Sequence, residues 1–288
     1  MNILRQTLVI GVILPLSAAL SSAAQTATTP PAAETNAPKP KLGSTIFQWK
    51  DVVIKPGGTK AARSIARQPT ATLEVFESHV TSLAAGAASH LPHQHGQEEF
   101  IIVHEGELEV HINGETKVAS TGSLLFYASN DFHGVRNLGK VPATYIVVNY
   151  RTSLTAKVPK ERAADSAPAG SLRSAVFEWK DLKVTPTKTG EKRSICNAPT
   201  VTLLKLEAHV SSLKPGMAAH AAHRHPDEEV VIVKEGFVEA TVNGKSERVG
   251  PGGVILFASN DEHGLRNAGD TTATYYVVRM TTPETPKK

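Results

Sequence analysis

The sequence predicts an all-β protein made of two tandem jelly-roll barrels. Two observations indicate this fold. The second half of the chain repeats the first at an interval of 130 residues, and each copy consists of short apolar segments separated by turn residues. Many evenly spaced antiparallel strands are typical of small barrels. No long stretch has the 3.6-residue periodicity of an amphipathic helix.

The repeat sets the predicted domain boundaries. Residues Ser44–Tyr150 align with the second copy without a gap. A period of this length is too long for a solenoid and predicts two whole domains. We therefore predict a first barrel at 44–151, a linker at 152–170 and a second barrel at 171–282. Segments that both copies keep are Phe47-Gln48-Trp49-Lys50-Asp51 with Phe177-Glu178-Trp179-Lys180-Asp181, and Arg63-Ser64-Ile65 with Arg193-Ser194-Ile195.

Within each copy the apolar residues alternate as they do in strands. Leu108, Val110 and Ile112 alternate with polar residues, and Asn113-Gly114 then gives a strong signal for a two-residue hairpin turn. Further strands are predicted at Ser123–Tyr127 and Ala143–Val148, with glycines punctuating both copies at matching positions.

The N-terminal residues have the pattern of an export signal. Arg5 precedes an apolar run from Thr7 to Leu20, and Ser22-Ala23-Ala24 supplies the small residues of a cleavage site. We predict a signal peptide at 1–24, a disordered spacer at 25–43, and a periplasmic or secreted mature protein with no membrane attachment after cleavage. An uncleaved N-terminal anchor is the alternative.

Composition excludes some classes of function. Apolar content of 40% with 20% charged residues is that of a soluble globular protein. The net charge is +4, and the basic residues do not cluster in a stripe with aromatic residues, so we expect no nucleic-acid partner. The one cysteine, Cys196, has no partner for an intramolecular disulfide, so the fold must depend on its core and on any metal that it binds.

A histidine motif occurs in both copies. Two histidines separated by one residue on a strand point to the same face, and a carboxylate four positions later keeps that parity. A third histidine follows about forty residues on. Three imidazoles and one carboxylate that converge inside a barrel make a site for a divalent first-row metal. The two candidate sets are His93, His95, Glu99 and His133, and His223, His225, Glu229 and His263.

These motifs resemble the two sequence motifs of the cupin superfamily. The resemblance covers nearly all of the mature chain and implies a bicupin, in an arrangement similar to germin-like proteins and oxalate decarboxylases, with one ligand set per barrel. Similar proteins often form trimers or hexamers, so the resemblance implies that this chain can form a homo-oligomer. The second motif departs from the family's Pro-x-Gly, because Ala128-Ser129-Asn130 and Ala258-Ser259-Asn260 stand there. Asparagine tolerates the left-handed conformation, so we expect the turn to survive. The motif positions are Gly86, His93, His95, Glu99, Gly106, Gly122, His133 and Asn137, and Gly216, His223, His225, Glu229, Gly236, Gly252, His263 and Asn267.

The number of protein ligands in each set indicates which metal ion could support catalysis. Four protein ligands saturate a tetrahedral zinc but leave two positions open on an octahedral ion. We therefore expect one manganese or iron ion per barrel, with zinc, nickel, cobalt and copper as alternatives. We expect an enzyme of oxygenase, decarboxylase, lyase or isomerase type that acts on a small organic acid or sugar derivative. Two alternatives stay open: a metal that only stabilises the barrel, and a non-catalytic binding protein of germin-like or auxin-binding type.

Other residues are weaker candidates. His90 and His220, three positions before the first ligand, are candidate catalytic acid–base groups at the pocket mouth, or plain loop histidines. Oxalate decarboxylases have an arginine near that position, and its absence argues against oxalate chemistry. We expect His79 and His209 to pack in a strand, with an inward position as the alternative. The remaining expectations are outward-facing Arg136 and Arg266, a surface Glu262, packed Trp49 and Trp179, and unequal roles for the two pockets.

Overall fold

The structure is a computed structural model that describes residues 40–52, 54, 58–160 and 167–287. The predicted signal peptide, most of the spacer and part of the linker lie outside these residues. Among the residues described, no helix has the length and apolar character needed to cross a membrane.

The first copy is almost entirely β-structure. It contains one helical turn, α1 at Trp49–Val52, and a 3₁₀ turn at Thr155–Lys157 after the barrel. Its strands are β1 Thr45–Phe47, β2 Lys60–Gln68, β3 Val75–Leu83, β4 Glu98–Glu105, β5 Glu107–Ile112, β6 Glu115–Ser120, β7 Leu124–Tyr127, β8 His133–Asn137 and β9 Ala143–Arg151.

The second copy repeats this order, with a 3₁₀ turn at Trp179–Asp181 in place of the helical turn. It also has a strand β11, whose equivalent positions in the first copy lie mostly outside the described residues. Its strands are β10 Ala175–Phe177, β11 Val184–Pro186, β12 Gly190–Ala198, β13 Lys205–Leu213, β14 Glu228–Glu235, β15 Val238–Val242, β16 Lys245–Val249, β17 Val254–Phe257, β18 His263–Asn267 and β19 Ala273–Thr281.

Each barrel consists of a large and a small antiparallel sheet. The large sheets have the strand orders β10-β7-β4-β9-β3-β2 and β1-β17-β14-β19-β13-β12-β11, and the small sheets have the orders β6-β5-β8 and β16-β15-β18. The prediction of an all-β protein with two jelly-roll barrels is confirmed.

The first strand of each copy pairs with the other barrel, which the repeat alone did not predict. Strand β1 pairs with β17, and β10 pairs with β7. The tryptophan that follows each exchanged strand packs over a glycine of the receiving barrel: Trp49 over Gly252 and Trp179 over Gly122. The predicted packing role of both tryptophans is confirmed.

The apolar core has three parts. Each barrel encloses its own cluster, around Tyr127 and Tyr145 in the first and around Phe257 and Tyr275 in the second. A third and larger cluster contains buried residues from both large sheets. Because this third cluster is shared, neither barrel can be separated without exposing apolar surface to water.

Two buried glutamates also join the copies. The Glu98 carboxylate accepts hydrogen bonds from the Thr200 and Thr202 hydroxyls at 2.5 and 2.6 Å and from the backbone N–H groups of Val201 and Thr202. In the reciprocal contact, the Thr70 hydroxyl and the Thr72 N–H donate to Glu228. Each glutamate therefore binds a loop of the opposite copy.

The turn predictions are confirmed. Asn113 and Gly114 both have positive φ, as a two-residue hairpin turn requires. Asn130 and Asn260 adopt φ of 60° and 64°, so the turn that replaces Pro-x-Gly keeps its left-handed residue.

Candidate metal centres

The first two ligand histidines of each copy lie outside the regular strands, contrary to the expectation for His93 and His95, whereas His133 and His263 are the first residues of β8 and β18. His93 and His95 precede β4 in an extended segment, and a turn at Gly96-Gln97 separates them from the sheet. His93 is held by two backbone hydrogen bonds to His133, from the N–H of each residue to the carbonyl of the other. The His95 carbonyl accepts from the Asn130 N–H at 2.8 Å. Backbone pairing therefore joins the two motifs in space.

The three histidines of each copy converge. The ligand nitrogens of His93, His95 and His133 all lie within 4.8 Å of one another, and those of His223, His225 and His263 do the same. Ring centroids in the first triad are 4.8–5.2 Å apart, and those in the second are 4.7–5.2 Å apart. The two copies therefore present nearly the same geometry.

Neighbouring groups orient the third histidine of each triad. The ring of His133 stacks on Tyr127 at a centroid distance of 4.3 Å, and its Nδ1 lies 2.8 Å from the Asp131 carbonyl. His263 stacks on Phe257 in the same way, with its Nδ1 2.9 Å from the Asp261 carbonyl. With Nδ1 engaged, Nε2 is the nitrogen left for a metal.

Several buried nitrogens in the triads lack hydrogen-bond partners among the described residues. They are His93 Nδ1, His133 Nε2, His223 Nδ1 and His263 Nε2. Burial lowers the pKa of His133 to about 3, and nearby His95 and His93 add to that effect. A neutral, buried imidazole with a free nitrogen suits metal binding, because the ligand form of histidine is deprotonated. The donor set therefore fits a divalent metal ion.

The predicted carboxylate ligands lie beside the triads. Glu99 is 8% exposed, with Oε2 3.8 Å from His95 Nε2, and Glu229 is equally buried, with Oε2 3.3 Å from His225 Nε2. Burial raises the pKa of Glu99 to about 8. Burial acts on Glu229 in the same direction, but the hydrogen bond with His225 and the nearby charges of His263, His225 and Arg279 outweigh it and lower the pKa below its ordinary value.

The two carboxylates also face different residues at one position on the last strand of each barrel. Asn149 on β9 pairs in register with Glu99, and Arg279 on β19 pairs with Glu229. Arg279 forms an ion pair with Asp227, whose other carboxylate oxygen accepts from the Thr281 hydroxyl. The two centres therefore share a histidine geometry but differ in the charge beside the carboxylate.

A cavity opens onto each triad. The first has a volume of about 270 Å³ and the second about 350 Å³. His90 lines the first cavity and His220 the second, each with its ring close to the first ligand histidine, at 4.1 and 4.3 Å between centroids. The expectation that both histidines lie at the pocket mouth agrees with this placement.

Sequence reasoning missed most of the cavity walls. His79 and His209 lie on strands, and their side chains line the cavities, which corresponds to the alternative inward position. On β13 the buried residues alternate with Glu207, His209 and Ser211. That alternation was the available signal for an inward-facing polar row. Other wall residues are Lys60, Tyr145 and Asn149 in the first cavity, and Lys192, Tyr275 and Arg279 in the second.

Three expectations about surface residues are confirmed. Arg136 and Arg266 are both exposed, and Arg266 forms an ion pair with Glu239 at 2.7 Å. Glu262 is partly exposed and pairs with Arg224 at 3.1 Å on the rim of the second barrel. None of the three lines either cavity.

Comparison with known proteins identifies the fold family. The sequence profile of the cupin domain matches residues 79–149 and 209–279. A search of curated proteins found no match.

Solved structures share the architecture at 14–15% sequence identity, which shows the fold alone. The putative glyoxylate induced protein from Pseudomonas aeruginosa aligns with a TM-score of 0.65 at 15% identity, covering 88% of this chain and 94% of that one. The oxalate decarboxylase formate complex from Lactobacillus farciminis gives 0.63 at 15% identity, covering 85% and 88%. AerE from Microcystis aeruginosa gives 0.60 at 14% identity, covering 83% and 97%.

Proposed function

The chain carries two cupin domains, and we propose that it is an exported metal-dependent enzyme acting on a small organic acid or sugar derivative. Each barrel would hold one divalent ion, manganese or iron, through three histidines and one glutamate. The observation that carries the proposal is the convergence of three histidine nitrogens within 4.8 Å of one another in both copies.

The fourth ligand in each barrel would be Glu99 or Glu229. Both carboxylates are buried beside the second histidine of their triad, and a buried carboxylate is stabilised by coordinating a metal. Three imidazoles and one carboxylate suit manganese, iron, cobalt or nickel in octahedral geometry. Bound there, such an ion would supply Lewis acidity to a substrate in the cavity.

The protein itself supplies binding and proton transfer. A cavity of about 270 or 350 Å³ matches a small-molecule ligand. In the second cavity the Arg279 guanidinium can donate hydrogen bonds to a carboxylate, and in the first the Asn149 amide can bind a hydroxyl. These walls favour a small oxygenated metabolite.

His90 and His220 would serve as acid–base groups. The Nδ1 of each ring lies 3.0 Å from a backbone carbonyl, which leaves Nε2 for proton exchange with a ligand. Both side chains are exposed at the mouth of their cavity, where water and an entering ligand can contact them. Their position beside the first ligand histidine supports this role.

The reaction class is oxygenation, decarboxylation, elimination or isomerisation of a chelating substrate. The similarity to an oxalate decarboxylase crystallised with formate supports a small acid as substrate. Location outside the cytoplasm belongs to the proposal and depends on the N-terminal signal pattern. Fractionation of the native host tests it, and mature protein found in the cytoplasm would refute that part.

The decisive experiment combines metal analysis with a substrate screen. Protein purified from its native compartment should contain close to two ions per chain, and the His133→Ala and His263→Ala variants should each contain one. Reconstitution with Mn²⁺ or Fe²⁺ should give turnover of an organic acid or sugar derivative, under air or under nitrogen. Zinc alone in the native protein, with no turnover after reconstitution, would refute the enzyme and favour the binding protein.

A further inference from the structure

We propose that each metal site depends on a positioning serine supplied by the opposite copy. Ser44 precedes the exchanged strand β1 and positions His263 in the second barrel, while Ser174 precedes β10 and positions His133 in the first. The inference rests on the metal sites of the proposed function. It assigns a role to two residues that lie outside both cavities.

In the second barrel three hydrogen bonds link the serine to the histidine. The Ser44 hydroxyl donates to Asp261 Oδ2 at 2.6 Å and accepts from the Ala258 N–H at 2.8 Å. The backbone carbonyl of Asp261 lies 2.9 Å from Nδ1 of His263. Ser44 therefore binds both ends of the turn from Ala258 to Asp261, and that turn holds the imidazole ring.

The first barrel repeats the arrangement. The Ser174 hydroxyl donates to Asp131 Oδ2 at 2.6 Å and accepts from the Ala128 N–H at 2.8 Å. The Asp131 carbonyl lies 2.8 Å from Nδ1 of His133. The same three contacts, with nearly the same lengths, occur in both copies, although other neighbours such as Asn149 and Arg279 differ.

The turn that the serine binds contains the left-handed asparagine, Asn130 or Asn260. If that asparagine left the left-handed region for the extended region, which is favoured for most residues, the aspartate carbonyl would move away from the imidazole. The serine supplies one donor and one acceptor that fix the turn as it is. Because groups that orient a ligand histidine alter metal affinity about 10- to 100-fold, removal of the hydroxyl should weaken the metal site of the opposite barrel.

The test uses variants of the whole chain in which one of the two metal sites has been removed. His133→Ala leaves the second site intact, and Co²⁺ binding to it is measured by visible absorption and by competition with a chromophoric chelator. In this background Ser44→Ala should lower Co²⁺ affinity about 10-fold or more and change the absorption spectrum. Ser174→Ala, which removes the equivalent bonds around the first barrel, is the matched control and should leave the affinity unchanged.

The reciprocal background, His263→Ala, should reverse the pattern, with Ser174→Ala weakening binding and Ser44→Ala leaving it unchanged. Ser44→Thr and Ser174→Thr keep the hydroxyl and should restore affinity. If a histidine variant does not fold, His93→Ala or His223→Ala replaces it.

Three outcomes would overturn the proposal: unchanged affinity in both backgrounds, equal loss from both serine variants, or no rescue by threonine. A merely structural serine would lower the free energy of unfolding without this crossed pattern. Absence of Co²⁺ binding in the parental single-site proteins would instead refute the metal sites themselves, so the two failures are distinguishable.

Discussion

Replacement of Glu98 by glutamine should destabilise the whole chain, because this one carboxylate joins the two copies. Glu98 is fully buried and accepts hydrogen bonds from Thr200, Val201 and Thr202, and Tyr150 donates to it at 3.3 Å. Burial raises the pKa of Glu98 above its ordinary value, and the hydrogen bonds from the loop oppose that rise. Only a carboxylate can accept from all of these donors at once.

The size of the effect follows from the bonds that glutamine cannot make. Its carbonyl oxygen can keep the hydroxyl donors, but its NH₂ group then faces the Val201 N–H at the position of the other oxygen. Loss of a charge-assisted hydrogen bond costs about 1.5–3 kcal/mol, and a stranded buried N–H costs about 1–3 kcal/mol more. We therefore expect Glu98→Gln to lower the free energy of unfolding by about 3 kcal/mol or more.

The duplication provides a matched comparison. Glu228 accepts from the Thr70 hydroxyl at 2.7 Å and from the Thr72 N–H at 3.1 Å, whereas Glu98 accepts from two hydroxyls at 2.5 and 2.6 Å, so Glu228→Gln should cost less than Glu98→Gln. The exposed Glu105 provides a control, and Glu105→Gln should change stability by about 0.5 kcal/mol or less. Urea denaturation of metal-saturated protein measures all three. A loss below about 1 kcal/mol for Glu98→Gln would mean that Glu98 is held as a neutral acid, and the reasoning would be refuted.

Three further predictions concern packing, cooperativity and the thiol. Gly252→Ala should lower the free energy of unfolding by about 3 kcal/mol, because the new Cβ would overlap the Trp49 indole at a position with positive φ. Gly114 also has a positive φ but has open space around it, so Gly114→Ala should cost about 1 kcal/mol. Equal losses for the two variants in urea denaturation would contradict the predicted overlap. Tryptophan fluorescence and far-ultraviolet circular dichroism should give one coincident unfolding transition, because one core cluster spans both copies; two separate transitions would mean that the barrels unfold independently. Burial raises the pKa of the Cys196 thiol to about 11. Its alkylation at pH 8 should therefore be about 100-fold slower in the folded protein than in the urea-unfolded protein. Equal alkylation rates in the two states would contradict the burial of the thiol.

The sequence was sufficient to predict the features that depend on local pattern. The hairpin at Asn113-Gly114 and the left-handed turn at Asn130 follow from residue type alone, and both are present. The histidine motif predicted two metal-binding clusters because its residue types and spacing recur together in both copies. The alternation of polar residues on β13 is a signal that was not used; it places His209 on one face of the strand but does not say which face encloses the cavity.

The features that the sequence did not predict depend on long-range pairing. Strand β1 has only three residues, and nothing in Thr45–Phe47 specifies whether it pairs with its own barrel or with the other. Likewise, the extended segment at His93 and His95 was expected to be a strand. It has instead a single backbone pair with His133, because the Gly96-Gln97 turn interrupts the ladder.

Substitutions at two kinds of position in the duplicated chain affect different barrels. A change at Asn149 or Arg279 acts on one cavity, because each residue pairs in register with the glutamate of its own barrel. A change at Ser44 or Ser174 acts on the opposite barrel, because the hydroxyl contacts the turn that carries that barrel's third histidine. The copies differ at the first kind of position and agree at the second. A duplicated protein can therefore alter what each cavity binds while both histidine triads keep the same geometry, since the contacts that hold them are reciprocal between the copies.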